Sequence, residues 1–190
     1  TMDCSPSTVK NDAGSAPSPP WEEDLGGGFV LRSVRDERDI ERYVALHFDL
    51  FHTTDCVTID RLLRYHPEVT YRDFLMVEDT VAGRIASTTC IVPWRFRYDE
   101  VELCAAQVEV VATHPDYRRR GLLRAQMHRI HRVLLERGVH LSAIGGIPNY
   151  YRQFGYTYAI DQLRPVLVPA HAIPRAPSGD GERIRLREAA

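Results

Sequence analysis

The residues best suited to chemistry in this 190-residue chain run from Val110 to Arg124, Val110-Val111-Ala112-Thr113-His114-Pro115-Asp116-Tyr117-Arg118-Arg119-Arg120-Gly121-Leu122-Leu123-Arg124. A β-like stretch meets a basic turn that opens a helix. The first turn of a helix has N–H groups without intrahelical partners and a partial positive charge, which suits an anion. Gly121 lets a ligand approach the backbone closely, because no Cβ intervenes. Arg118, Arg119 and Arg120 add charge at the same mouth, and guanidinium groups match phosphate oxygens. The combination reads as a pyrophosphate cradle. A plain solvated arginine run is the alternative. It is weakened because cations at a helix N-terminus cost about 0.3–1 kcal/mol each unless an anion offsets them. If the strand before the turn loses its neighbour, its free N–H and C=O groups can pair with an extended amide-bearing ligand.

Other reactive groups are more scattered. Glu109 lies two residues before Val111, so strand alternation predicts both side chains on one face. A carboxylate there can relay a proton, pair with an arginine or face solvent, and the sequence leaves these open. An imidazole suits proton transfer near neutral pH, but His114 sits at the end of the strand. His128 and His131 are spaced i, i+3 without a third ligand, so they read as solvated helix positions and no metal is expected. Cys56, Cys90 and Cys104 read as small buried hydrophobes. Trp94-Arg95-Phe96-Arg97-Tyr98 alternates aromatics with arginines. With a formal net charge of −2, it reads as a strand with one packed face rather than a nucleic-acid surface.

The elements that must position these groups follow from periodicity. Phe29–Val34 reads as a strand and Asp36–Phe51 as a helix with Asp36 as its N-cap. A second helix is predicted from about Thr58 to His66, stopped by Pro67. Phe74–Val77 and Arg84–Val92 form a hairpin signal, and Glu100–Thr113 reads as a long strand. From Arg120 the period becomes helical, with Leu123, Met127, Ile130 and Leu134 on one face and Gly138 just past the end. Val139–Ile144 is a strand. Asn149–Phe154 reads as one or two helical turns, and Tyr156–Ile160 and Arg164–Val168 as closing strands.

Composition sets the frame. The chain is 44% apolar and 26% charged, which suits a globular α/β domain and excludes wholesale disorder and a disulfide scaffold. Residues 1–28 are rich in Pro, Ser and Gly and read as a disordered tail. The domain is placed at 29–170. Residues 171–190 read as a linker and the start of a further domain, so the chain reads as a piece of a longer protein. No apolar run approaches the roughly 20 residues of a membrane span, and no signal peptide opens the chain. Four cysteines without metal-like spacing point to reduced thiols and a cytoplasmic location. Neither nucleic acid nor membrane is expected as a partner. A homo-oligomer is left open.

The run Arg118-Arg119-Arg120-Gly121-Leu122-Leu123-Arg124 resembles motif A of the GNAT superfamily of N-acetyltransferases, with Arg118, Gly121 and Leu123 at its defining positions. It looks like the version in acetyltransferases of the enhanced-intracellular-survival type, which also carry Leu at the last of these. Gly146-Ile147-Pro148-Asn149-Tyr150-Tyr151-Arg152-Gln153-Phe154-Gly155-Tyr156 is similar to motif B, where a Tyr precedes a Gly by four residues. The likeness covers roughly Phe29 to Val168. It implies a single GNAT-type acyl-coenzyme A domain with a mixed, mostly antiparallel central sheet flanked by helices.

The same resemblance implies acetyl transfer from acetyl-coenzyme A to an amine of a small molecule or peptide. Backbone groups of Val111, Ala112 and Thr113 would pair with the pantetheine arm. Arg119 to Arg124 would wrap the pyrophosphate, and Asn149 and Arg118 count among the cofactor-binding residues. Tyr151 would protonate the departing thiolate; read by itself, it is a half-buried aromatic that anchors a short helix. An amine of pKa about 10.4 must lose a proton before it attacks, and Glu109 is the candidate base. The N–H near Val111 is the candidate donor to an oxyanion. The other reading is a catalytically silent acyl-coenzyme A-binding or assembly domain of the same fold.

Overall fold

The computed structural model describes residues 21–51 and 53–159. The chain divides into two units, Thr1–Thr157 and Tyr158–Ala190, and the sheet and its helices lie in the first. In chain order they are β1 (Glu22–Gly26), β2 (Phe29–Ser33), α1 (Glu37–Phe51), α2 (Thr53–Tyr65), β3 (Phe74–Asp79), β4 (Arg84–Tyr98), β5 (Val101–Thr113), α3 (Leu122–Glu136) and β6 (Leu141–Ile144). Short 3-10 turns cover Tyr71–Asp73, Pro115–Tyr117 and Tyr150–Phe154.

One six-stranded sheet runs β1-β2-β3-β4-β5-β6. Every neighbouring pair is antiparallel except β5 and β6, which are parallel because α3 crosses between them. This is the mixed, mostly antiparallel sheet that the family resemblance implies. Side chains alternate between two cores. Leu31, Leu75, Val77, Ile91, Ala106 and Val108 meet Leu122, Met127, Ile130 and Leu134 of α3. On the other face Phe74, Met76, Cys90, Val92 and Val110 meet Ile40, Tyr43 and Leu46 of α1 and Ile59 of α2. Each fully buried side chain of this size contributes about 1.5–3 kcal/mol.

Several elements differ from the reading of the sequence. Residues 21–28 are not part of a tail: Glu22–Gly26 pairs with β2, and Trp21 packs against the α3-side core. The Arg129 guanidinium lies 4.3 Å from the Trp21 ring centroid, a cation–π contact that helps hold the segment down. An ion pair of 2.6 Å between Arg35 and Glu22 adds to it. α2 starts five residues early, at Thr53. The buried stripe of α3 begins at Leu122 and includes Gln126, whereas Leu123 is only partly buried. Gln126 is admitted because its Oε1 accepts from Ser87 Oγ at 2.6 Å. Its Nε2 also faces the Leu75 carbonyl at 3.4 Å, so the buried amide is satisfied. Tyr156–Ala159 is not in a strand. Ile160, the strand placed at 164–168, the end of the domain at 170 and the linker at 171–190 lie outside the described residues, as do residues 1–20. Cys56 and Cys90 are not disulfide-bonded, while Cys104 is, against the expectation of reduced thiols throughout.

A charge network locks β2 to α1 and β3. Arg32 is 3% exposed. Its guanidinium holds Asp39 through two bonds of 2.5 and 2.8 Å and Glu78 through bonds of 3.0 and 2.7 Å. Arg42 reaches Glu78 at 2.6 Å. Burial alone would push both carboxyls up in pKa. The hydrogen bonds and charge of Arg32 on Asp39, and of Arg42 and Arg32 on Glu78, outweigh it and hold both below their ordinary range. A depressed carboxylate contributes stability that is complete above its unfolded pKa and is lost as pH falls through its folded pKa. The melting temperature is therefore expected to hold from neutral pH to about pH 5 and to fall below about pH 4, with carboxylates unfolding near 3.9–4.3. The Asp39→Asn variant should show a shallower decline between pH 5 and 3 in thermal melts.

Candidate active site

The central feature is an edge that opens halfway along β5. β6 pairs with β5 from Ala105↔Leu141 to Val108↔Ile144 and stops, whereas β5 runs on to Thr113. Residues 109–113 therefore have β4 on one side and no strand on the other among the described residues. His114 N donates to Ala86 O at 3.0 Å, and Ala112 lies opposite Thr88, so the even-numbered residues face β4. By alternation Val111 and Thr113 turn their N–H and C=O groups to the open edge. Ala112, expected to pair with a ligand, gives its backbone to β4 instead.

A bulge sits at the same place. The β4–β5 register shifts between Thr88 and Cys90, and Val110 has φ +52°. A β-branched residue at positive φ is costly, by about 1–3 kcal/mol, and persists only where its surroundings fix it. The extra residue breaks alternation. Glu109, opposite Cys90, points to the α1/α2 face, while Val111 packs against the α3-side core. The expectation that Glu109 and Val111 share a face is thus corrected. The Glu109 carboxylate accepts a hydrogen bond from Gln107 Nε2, two residues back on the same face.

Beyond the open edge the chain makes the basic turn. Arg118 Nε reaches the Thr113 carbonyl at 3.4 Å. Arg119 and Gly121 both adopt positive φ, +62° and +77°, an alternation of hand that gathers N–H groups into a concave nest. Gly121 is the N-cap residue of α3; no side chain caps that end, and no acidic residue lies in the first turn. A Cβ built on Gly121 would meet nothing within 4 Å, so the approach to the backbone is open. Arg118 and Arg119 are exposed. Arg120 instead lies over the rings of Tyr117 and Phe29, at 5.3 and 5.7 Å. Arg124 donates to Gln153 Oε1 at 2.9 Å and lies over Phe154 at 5.5 Å, tying the helix start to the Tyr150–Phe154 turn. Leu122 is buried and Leu123 partly so; both offer the mouth their backbones.

That turn brings Tyr151 to the gap. Its ring lies against Gly146, just past the end of β6. A Cβ on Gly146 would fall 3.2 Å from Tyr151 Cε2 and 3.7 Å from its hydroxyl oxygen, and φ there is +138°. Only glycine suits that close approach. Neither Gly146 nor Gln107 stands out in the sequence; the signal for Gly146 is its place directly after a strand and before Tyr151. Burial raises the Tyr151 pKa above the ordinary 10, and the charges of Tyr150, Glu109 and Tyr156 push the same way. Asn149, exposed and at φ +65°, starts the turn.

Comparison with known proteins agrees with this geometry. The family model of the acetyltransferase (GNAT) domain matches residues 31–159. No curated protein sequence matches the chain. An acetyltransferase from Trypanosoma brucei superposes with a TM-score of 0.58 at 17% identity, over 73% of this chain and 99% of that one. A structure described as a predicted acetyltransferase with acetyl-CoA, from Clostridium acetobutylicum, gives 0.58 at 14% identity, over 73% and 96%. Eis1 from Mycobacterium abscessus gives 0.54 at 20% identity, over 67% of this chain and 31% of that one, so this chain spans about a third of that protein. The structural likenesses show the fold, and the family match spans more than half of the sequence: the chain belongs to the GNAT acetyltransferase family.

Proposed function

We propose that the protein is an acetyl-coenzyme A-dependent N-acetyltransferase acting on an amine of a small molecule or peptide. The observation that carries this is the open edge of β5 at residues 109–113, flanked by the uncapped N-terminus of α3 and by Tyr151. The donor set fits a nucleotide-tailed thioester. Val111 and Thr113 offer an extended arm a half-ladder of backbone groups. The first-turn N–H groups of α3, with Arg118 and Arg119, suit a diphosphate. Arg124 orders the neighbouring turn, and Asn149 stands at its start. Acetyl-coenzyme A, when bound, supplies an acyl group activated as a thioester.

The chain's own residues then divide the proton work. The Glu109 carboxylate, partly exposed, takes a proton from the acceptor ammonium, directly or through water. The Val111 N–H, turned to the open edge, donates to an oxygen that gains negative charge. The Tyr151 hydroxyl stays protonated at neutral pH because burial raises its pKa, and it delivers that proton to a departing sulfur. The placement within the enhanced-intracellular-survival type rests on the Leu at position 123 and on the likeness to Eis1.

Acetyl-coenzyme A at about 100 times its Kd is expected to stabilise the protein by about 2.7 kcal/mol, a rise of roughly 5–10 °C in Tm. A thiol-release assay over a panel of amines should then register turnover. Stabilisation without turnover on any amine would favour the silent domain. A flat Tm would remove the coenzyme A reading.

A further inference from the structure

The paired strands β4 and β5 outrun the rest of the sheet. β3 leaves β4 at Cys90, and β6 joins β5 only at Ala105. Residues 95–104 therefore form a two-stranded ribbon with no further strand beside it among the described residues, and Trp94 stands at its base. Its two faces differ. Register pairs Trp94 with Ala105, Phe96 with Leu103 and Tyr98 with Val101, all on one face; Arg95 and Arg97 pair with Cys104 and Glu102 on the other. The apolar face is uncovered: Trp94 is 45% exposed, Phe96 41%, Tyr98 78% and Val101 57%. Trp94 and Phe96 stack with centroids 6.2 Å apart and planes at 16°, making a flat wall. With aromatic side chains of about 150–250 Å² each, the exposed part amounts to a few hundred Å², the size of a functional patch.

Along β5 the same face leads back to the candidate site through Gln107 and Glu109, both partly exposed, while Cys90, Val92 and Ala105 beside them are buried. Cys90 and Val92, two and four residues before Trp94, belong to the α1/α2-side core. Across from them stand Glu109 and Gln107. One face thus reads, outward from the gap, Glu109, Gln107, then only apolar groups, with no cation on it. Four residues separate the Glu109 level from Trp94, about 14 Å along an antiparallel strand, and six separate it from Phe96, about 20 Å. A compact amine held at Glu109 does not reach that wall; an extended chain does. Strand addition by a second copy is disfavoured at the edge of β4, where Pro93 lacks an N–H and Arg95 and Arg97 place like charges.

Resting on the acetyltransferase reading, we infer that the acceptor is an extended peptide whose amine sits at Glu109 and whose apolar residue, about four positions along, lies on Trp94 and Phe96. The carboxylate draws the ammonium, and the aromatic wall reads the side chain.

The test uses seven-residue Gly/Ser peptides with one N-terminal amine and a single Leu moved from position two to position seven. The expected result is a kcat/KM at least tenfold higher with Leu at position five or six than at position two. The dependence should vanish in the W94A/F96A variant, whose acetyl-coenzyme A-induced Tm shift is unchanged. In a W21F variant Trp94 is the remaining tryptophan, and its emission should shift when the position-five peptide binds. Turnover that ignores the Leu position and the W94A/F96A change would overturn the inference and leave acetyl transfer standing. An emission shift without turnover would keep the peptide site and remove the reaction. Turnover of short amines with no emission change would overturn the inference. So would a dimer by gel filtration that W94A disperses, because a second copy would then cover the wall.

Discussion

Tyr151→Phe is expected to lower kcat by about 10²–10³-fold, within the range that a positioned general acid contributes, while leaving the acetyl-coenzyme A-induced Tm shift within a degree. The ring contacts the space above Gly146 and packs edge-on with Tyr150 and Tyr156, and phenylalanine keeps all of that. Only the hydroxyl proton is lost. The pH profile separates this from a packing effect. Burial lifts the Tyr151 pKa above its ordinary value, so the wild-type rate should stay on its plateau through neutral pH and fall only where the hydroxyl ionises, above about pH 10. In the Phe variant that alkaline limb should be missing. Initial rates by thiol release across pH 6–11, with protein integrity checked at each point, measure both. A variant that retains more than a third of the wild-type kcat would remove Tyr151 from the proton path.

The second large effect is on stability. Arg32→Ala is expected to destabilise the fold by about 3–5 kcal/mol, the usual result of removing one partner from a buried ion pair. That corresponds to roughly 10–20 °C in Tm for a domain of this size. Asp39, 8% exposed at its side chain, loses both of its Arg32 bonds, and Glu78 keeps only Arg42. Two carboxylates at the β2–α1 junction, left to share Arg42 alone among their cations, should then favour protonation. The loss should shrink at pH 4 relative to pH 7, where both carboxylates are charged. The triple variant R32M/D39L/E78L tests the cause: an apolar trio should recover most of the loss. A drop below 1 kcal/mol in R32A by urea denaturation would show that the cluster is solvent-screened.

The sequence carried much of this arrangement, for physical reasons that differ by element. The β3–β4 hairpin and α3 are legible because each buries one face, and burial writes a period of 2 or 3.6 into the residues. The turn at Arg118–Gly121 is legible because glycine and clustered arginines are chosen by backbone and charge rather than by packing. β1 is not legible. Glu22–Gly26 is an edge strand of mostly polar residues. Its order comes from pairing with β2 and from Trp21 over Arg129, contacts that no local pattern announces. The bulge at Val110 is equally silent, since Glu-Val-Val-Ala reads as an ordinary alternating strand. That silence is why strand alternation predicts one face for Glu109 and Val111. Arg32 looks like a solvent-facing residue in Phe-Val-Leu-Arg-Ser until α1 folds Asp39 over it. The gap itself depends on β6 being four residues long, a length set by Gly145-Gly146 and visible only once register is known.

The extra residue at Val110 makes β5 a strand of two parities. Up to Glu109, odd positions look toward α1 and α2; from Val111 onward, odd positions look toward α3. An excision of Val110 would therefore take out the extra residue and leave the ladder on either side in place: Glu109 would stay opposite Cys90, and Ala112 and Thr113 opposite Thr88 and Ser87. The frontier would keep its donors and acceptors, and only the kink beside Glu109 would straighten.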